Sequence, residues 1–268
     1  MSGRLLDAAI AIGTRERFGA VRRVVWRHLY NHVTHRLGDD EALCLNYGYL
    51  PDGPLPTAPH PEWPNHALYH HVAAPLDLAG KTVIEVGSGR GGGAAYVAKT
   101  FAPEELTAFD NAPAGVKAAA RIHEAVPNLR FEVGDALALP IADGSVDAVV
   151  NVESSHCYAS MARFVAEVAR VLRPGGRFGL ADFRLSSQLA EFDAALSHHA
   201  LQVDARADIT DRVLGAMDHL NAKKSAMIEK RRFFKGIARQ WAGTDGSLIK
   251  TAFEAGDARY LSLTLTKV

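Results

Sequence analysis

The sequence predicts an α/β fold, a doubly wound sheet of mainly parallel strands. Three observations carry that expectation. Between Leu78 and about Ala205, short apolar β-rich runs alternate with helical runs, the pattern of parallel strands joined by right-handed crossovers. The first strand-like run, Val83-Ile84-Glu85-Val86, leads directly into Gly87-Ser88-Gly89-Arg90-Gly91-Gly92-Gly93 and then a helix, a strand–turn–helix whose glycines let backbone approach a ligand. Acidic residues then recur at the ends of successive strands.

Taken in order, residues 1–76 form an N-terminal helical segment, read as a lid or substrate-side element. Phe18, Val21, Val25, Leu29 and Val33 recur at helical spacing, with Arg15, Arg22, Arg27 and Arg36 facing elsewhere. A surface helix with a solvated basic face is the plainer account, and a membrane-surface or lipid-handling helix the alternative. The Pro-rich stretch Pro51–Pro64 reads as an irregular connection. Within the core, residues 77–268, strands are expected at Thr82–Val86, Leu106–Asp110, Leu129–Gly134, Val146–Val152 and Gly176–Phe183. Helices are expected at Gly92–Phe101, Ala114–Ala125 and Met161–Leu172, the last showing Phe164, Val168 and Val171 on one face. Leu201–Ala205 reads as a sixth strand. A helix start at Asp208-Ile209-Thr210 opens a helical lid insertion over about 207–256, helical to about Phe253 and basic at Lys223, Lys224, Lys230, Arg231, Arg232 and Lys235. Arg259–Lys267 alternates apolar with polar residues and closes the core as a strand.

Composition narrows the setting. A length of 268 residues suits one large domain, or one domain carrying lids. Thirty basic and thirty acidic residues give zero formal charge, so no global field gathers nucleic acid or an anionic membrane. Cys44 and Cys157 lie far apart without a CxxC or a Cys/His cluster, which points to a reducing compartment and away from zinc. No signal peptide is visible, and no window reaches the roughly 20 apolar residues of a membrane helix. A cytoplasmic protein without stable membrane insertion is expected; a homodimer stays open.

The glycine-rich turn alone is ambiguous. Gly87, Gly89 and Gly92 satisfy GxGxxG, and Asp110 lies 23 residues beyond Gly87, so a nicotinamide oxidoreductase passes the simplest test. A ligand-free turn is the bland alternative. Glu85, inside the first strand, sits badly beside a pyrophosphate but suits an ammonium group. Asp110 can accept from both ribose hydroxyls, and Asp135 from an adenine amino group. Three acids at three consecutive strand ends fit a cationic, phosphate-free nucleotide; an isolated Asp135 reads equally well as a turn or cap residue.

The order Glu85-Val86-Gly87-Ser88-Gly89-Arg90-Gly91, Phe109-Asp110-Asn111, Gly134-Asp135-Ala136, Asp143-Gly144-Ser145-Val146-Asp147 and Leu172-Arg173-Pro174-Gly175-Gly176 resembles the class I S-adenosylmethionine (SAM)-dependent methyltransferases. The resemblance spans Leu78–Phe183. A narrower one extends nearly end to end. Leu45-Asn46-Tyr47-Gly48-Tyr49, Tyr69-His70-His71-Val72-Ala73, the Gly91-Gly92-Gly93 run and Asn151-Val152-Glu153-Ser154-Ser155-His156-Cys157-Tyr158 resemble the phthiotriol and phenolphthiocerol dimycocerosate methyltransferases, with relatives acting on glycopeptidolipids and polyketide-type products. The resemblance implies a Rossmann-like core with a final antiparallel strand. It implies SAM as donor, S-adenosylhomocysteine as product and a small-molecule or lipid-like acceptor, with O-methylation the usual reaction. The sequence departs at Ala159, where proline commonly follows the tyrosine, and over His219–Lys250. Tyr49, Glu85, Gly87, Gly89, Asp110, Asn111, Asp135 and Ala136 are the expected cofactor-binding residues. Tyr47 and Tyr49 stand in a segment that often closes over the methionyl end, although aromatic residues more often simply pack.

Methyl transfer to an alcohol requires alignment, exclusion of water and a base. His156, after the fourth strand, is the candidate base, with Asp182 at the end of the fifth strand to orient it. Their spacing of 26 residues resembles the His/Asp pair of rebeccamycin-type sugar O-methyltransferases. A pocket-lining or structural histidine is the alternative. Glu153 is a second catalytic candidate, as base or substrate ligand, and a structural hydrogen-bonding role suits it equally. His70-His71 and His198-His199 lack metal-ligand company, and Asp182-Phe183 stands where metal-dependent relatives carry Asp-Asn, so no metal is expected in the transfer step. The runner-up activity is C-methylation of a prenyl diphosphate or alkene, with the basic run from Lys223 to Lys235 as diphosphate clamp. A catalytically silent SAM-binding protein is a third reading.

Overall fold

The computed structural model describes residues 43–53, 62–198, 200–229 and 242–268. The helix expected over Phe18–Val33, most of the Pro-rich stretch, His199 and the basic run Lys230–Lys235 lie outside the described residues.

Seven strands form one sheet: β1 Thr82–Val86, β2 Glu105–Asp110, β3 Leu129–Val133, β4 Val146–Val152, β5 Leu172–Leu185, β6 Leu201–Asp208 and β7 Ala258–Lys267. Their order is β3-β2-β1-β4-β5-β7-β6. The first five run parallel, and β7 enters antiparallel between β5 and β6, giving the Rossmann-like sheet with an antiparallel late strand. The helices are α1 Trp63–Ala73, α2 Gly92–Phe101, α3 Pro113–Ile122, α4 Met161–Val171, α5 Leu189–Leu196, α6 Thr210–Glu229 and α7 Leu248–Ala255. No helix among the described residues is long and apolar enough to cross a membrane.

Side chains alternate between the two faces of each strand, and both faces are covered. Val83, Ala148, Val150 and Val152 join one core with Leu68, Val72, Ala94, Val97, Val213 and Phe253. Ile84, Val86, Val149, Phe178 and Leu180 face the other, against Phe164, Val168 and Phe192. Burial on both sides explains why the parallel strands read as nearly continuous apolar runs rather than alternating ones.

Three boundaries differ from expectation, each with a local cause. The fifth strand begins at Leu172, which pairs with Val146; the ladder shifts register and resumes at Arg177 opposite Ala148, past Gly175 at φ +76°. The sixth strand continues to Asp208 because β7 supplies a ladder partner that far. The helical insertion is broken by Gly243 and Gly246, both at positive φ, and helix resumes at α7, where the Ser247 side chain caps Lys250 N–H. At the other end, the Asp208 carboxylate accepts from Thr210 N–H at 3.0 Å and opens α6.

Helix α1 closes onto β5 because Gly179 leaves room. A Cβ there lies 2.9 Å from Leu76 Cδ1 and from Val72 Cγ1 and O, closer than real Cβ contacts. Gly179→Ala is therefore expected to cost about 1–3 kcal/mol by overpacking, read as a lower urea midpoint with an unchanged slope.

Candidate active site

Strand order reverses at β1, which has β2 on one side and β4 on the other. Crossovers leaving in opposite directions open a crevice over the carboxyl ends of such strands. A cleft lies there, walled by the ends of β1, β2, β3 and β4 and roofed by Leu43–Asn46, with Tyr69 of α1 at its side.

Its floor is the glycine turn. Gly87 and Gly89 take φ +83° and +56°, a region open to glycine at little cost. Gly87 and Ser88 N–H both donate to Phe109 O, at 2.7 and 3.0 Å, tying the β1 turn to β2. Asp110 accepts from Gly89 N–H on Oδ2 and from Ala112 N–H on Oδ1, each at 2.9 Å. Burial raises its pKa, with those N–H groups opposing. Asp135 accepts from Leu137 N–H at 3.0 Å. Gly87, Gly89, Asp110, Asn111, Asp135 and Ala136 all line the cleft.

Glu85 lies behind this wall, 1% exposed. Tyr69 OH donates to its Oε1 at 2.7 Å, while Oε2 is buried without a hydrogen-bond partner. Burial pushes the carboxyl up to about 7, Asp110 acts in the same sense and Tyr69 opposes. Ser88 Oγ, in the lining, is likewise buried and unpartnered. A buried unsatisfied acceptor costs free energy, so unpartnered polar atoms beside acids at three strand ends fit a nucleoside with a cationic tail, the chemistry of SAM. Tyr49 stands elsewhere, stacked on His71 with ring centroids 4.6 Å apart. The preceding strap residues Leu43–Asn46 take the place over the cleft.

Glu153 follows β4 at φ +48°, strained for a residue with a Cβ and often a mark of a site. Its Oε2 accepts from Tyr47 N–H and Tyr260 OH, both at 2.8 Å. Burial drives its pKa up to about 7 against those two donors. Lys224 of α6 sits 5.7 Å from the Tyr47 ring centroid and donates to Ala242 O at 3.2 Å. Burial lowers the Lys224 pKa to about 8, with Glu153 opposing.

His156 and Asp182 meet beside the wall made by Glu153, Ser154, Cys157 and Tyr158, without lining the cleft themselves. His156 Nδ1 is 2.8 Å from Asp182 Oδ1, and its backbone N–H donates to Oδ2 at 2.8 Å. The imidazole packs 4.3 Å from the Phe183 ring. Asp182 is fully buried and also accepts from Ser155 Oγ–H at 2.5 Å and Phe183 N–H at 2.8 Å, with Arg184 Nη1 at 3.2 Å. Burial alone raises its pKa, but His156 and Arg184 hold it well below the usual carboxylate range. For His156, burial opposes the charged ring, while Cys157 and Asp182 favour it more strongly and push its pKa up to about 10.

Several partners lay outside the sequence-based set: Tyr69 on Glu85, the strap Leu43–Asn46 and Arg184, while Lys224 was expected only as part of the basic run. Arg184 carried a usable signal, since residues two apart on a strand share a face and Asp182 precedes it by two. Cys44 and Cys157, both free thiols, line the same cleft. Among the described residues no group of three His, Cys, Asp or Glu side chains is arranged to hold a metal ion.

By linkage, the stability His156 contributes is complete below its unfolded pKa of about 6.5 and is lost as pH rises through about 10. The unfolding free energy separating wild type from His156→Gln is therefore expected to be larger at pH 6 than at pH 10. NMR titration should place the imidazole above about 6.5 in wild type and lower in Asp182→Asn; an unchanged value would remove Asp182 as its partner.

A methyltransferase-domain family model matches residues 84–180. Over 250 residues the chain is 38% identical to the phthiotriol/phenolphthiotriol dimycocerosates methyltransferase of Mycobacterium tuberculosis, covering 91% of this chain and 92% of that protein. It is 40% identical over 218 residues to a fatty-acid O-methyltransferase of Mycolicibacterium smegmatis, covering 80% and 78%. Among solved structures, geranyl diphosphate methyltransferase in complex with GPP and sinefungin is similar in fold, with a TM-score of 0.70 at 20% identity, covering 92% of this chain and all of that one.

Proposed function

The chain belongs to the SAM-dependent methyltransferase family that includes the phthiotriol/phenolphthiotriol dimycocerosates methyltransferases, and from that premise we propose that it O-methylates a hydroxyl of a lipid or secondary metabolite, with His156 as general base. The acceptor class is supported by relatives whose names specify a phthiotriol-type lipid and a fatty acid. The base assignment is carried by one observation: the 2.8 Å contact between His156 Nδ1 and Asp182 Oδ1, at the carboxyl edge of the sheet beside the donor cleft.

When bound, SAM supplies a methyl group already activated on a sulfonium. The chain's residues bind and align. In this reading Gly87 and Gly89 let backbone approach the donor, and Asp110 with Asn111 holds the ribose. Asp135 and Ala136 meet the adenine, and the Glu85 carboxyl supplies negative charge for the ammonium. The strap ending at Tyr47 and the insertion that carries α6 and α7 act as covering elements that exclude water.

At the acceptor, Asp182 occupies Nδ1 and stabilises the imidazolium that forms, leaving Nε2 to take the hydroxyl proton. The raised pKa means that the ring starts charged at neutral pH, and a charged ring cannot accept a proton. A cation in the adjoining cleft disfavours the imidazolium, so donor binding favours the neutral, competent form. Glu153, held by Tyr47 and Tyr260, then lies on the acceptor side as a positioning group. Turnover is consequently expected to rise with pH, with an inflection above about 6.5.

The test is transfer from radiolabelled SAM into hydroxylated lipids of the producing organism, comparing wild type with His156→Ala. The variant is expected to bind SAM yet turn over roughly 100-fold or more slowly. Full activity in the variant would remove His156 as base and bring Glu153, with a carbon acceptor, forward.

A further inference from the structure

One carbonyl group under the glycine turn gathers an unusual number of donors. Val86 O, immediately before Gly87, lies 2.8 Å from Asn151 Nδ2, 3.1 Å from Ser154 Oγ and 3.2 Å from Tyr158 OH. The three side chains also bond one another: Asn151 Nδ2 reaches Ser154 Oγ at 2.8 Å and Tyr158 OH at 3.0 Å, and the two hydroxyls are 2.9 Å apart. An amide nitrogen has two protons and a carbonyl oxygen two lone pairs, so the four groups share hydrogens as one network. Asn151 is fully buried, and its Oδ1 has no hydrogen-bond partner. Ser154 also presses against the turn itself, since a Cβ on Gly87 falls 2.3 Å from its Oγ. The Tyr158 ring is fixed edge-on against Phe164, 4.8 Å between centroids.

We propose that Asn151, Ser154 and Tyr158 are positioning residues for the methyl donor: they fasten the Val86–Gly89 turn to the segment that carries Glu153 and His156. Val86 lies in the first strand and the three donors in and after the fourth, so the network spans the crevice between them. The donor-binding turn and the proton-handling segment thereby share one set of hydrogen bonds. A peptide free to rotate at Val86–Gly87 would change where Ser88 and Gly89 present their polar groups. The network prevents that rotation before any ligand arrives, which lowers the ordering cost of binding. This assignment rests on donor binding alone and stands whether or not His156 is the base.

The experiment uses the full chain and two variants that each remove one hydroxyl, Tyr158→Phe and Ser154→Ala. Affinity for S-adenosylhomocysteine is measured by calorimetry, alongside steady-state kinetics with SAM varied. Each variant is expected to bind S-adenosylhomocysteine about 3–10-fold more weakly, the scale of one net hydrogen bond, with the loss falling mainly on KM for SAM rather than on kcat. The double variant should lose less than the product of the single losses, because the groups act as one network. Wild-type affinity in both folded variants would overturn the proposal, as would a fall in kcat at unchanged KM, which would place Tyr158 in the chemistry. Melting of both variants below the assay temperature would also overturn it, by making the network a support of the core rather than of the turn.

Discussion

Where neighbouring crossovers leave a parallel sheet in opposite directions, backbone cannot fill the space above the strand ends. That vacancy falls between β1 and β4, and the remaining arrangement follows from it. Glycines at the end of β1 bring backbone to its floor, the ends of β2 and β3 set Asp110 and Asp135 along one side, and the segment after β4 delivers Glu153, Ser154, Cys157 and Tyr158 on the other. The strap Leu43–Asn46 then covers a gap that the sheet itself leaves open, anchored where Gly92 N–H donates to Leu43 O at 3.2 Å.

Charge is handled differently on the two sides of the vacancy. Burial works against the ionisation of Asp182, but His156, Ser155, Phe183 N–H and Arg184 surround it and more than offset that cost. A carboxylate so surrounded is a fixed charge, suited to orienting a neighbour rather than to exchanging protons. Glu85 and Glu153 have fewer donors for the same burial and are pushed toward neutrality. The protein therefore keeps one firmly ionised carboxylate at Asp182 and two more adjustable carboxyl groups at Glu85 and Glu153.

The sheet was legible because parallel strands buried on both faces write themselves as apolar runs, and because glycines, acids and Pro-Gly turns punctuate their ends. The alternation in Arg259–Lys267 revealed β7 as a strand, and its antiparallel direction came only from resemblance to a family, but its insertion between β5 and β6 was not anticipated, since pattern does not specify neighbours. The position of Asp110 and Asp135 at strand ends along the cleft follows from their place after β-runs. Contacts made by separate elements were not legible: nothing in the α1 sequence announces that Tyr69 reaches Glu85, or in α6 that Lys224 lies over Tyr47. Tyr49 shows the limit in the other direction. Proximity in sequence to a cleft-covering segment did not bring it into the cleft, because its ring found His71 instead.

The position of β7 also governs how the chain can assemble. β6 takes its hydrogen bonds from β7, which follows it only after α6 and α7. Until β7 arrives, β5 and β6 both present open ladders, and closing them requires a long chain loop, an entropically slow step. An unfinished molecule thus carries two adhesive edges at once, able to capture strands from other chains. Substitutions that loosen β7 should be felt less as lost rigidity in the finished enzyme than as lower yield of soluble protein during synthesis.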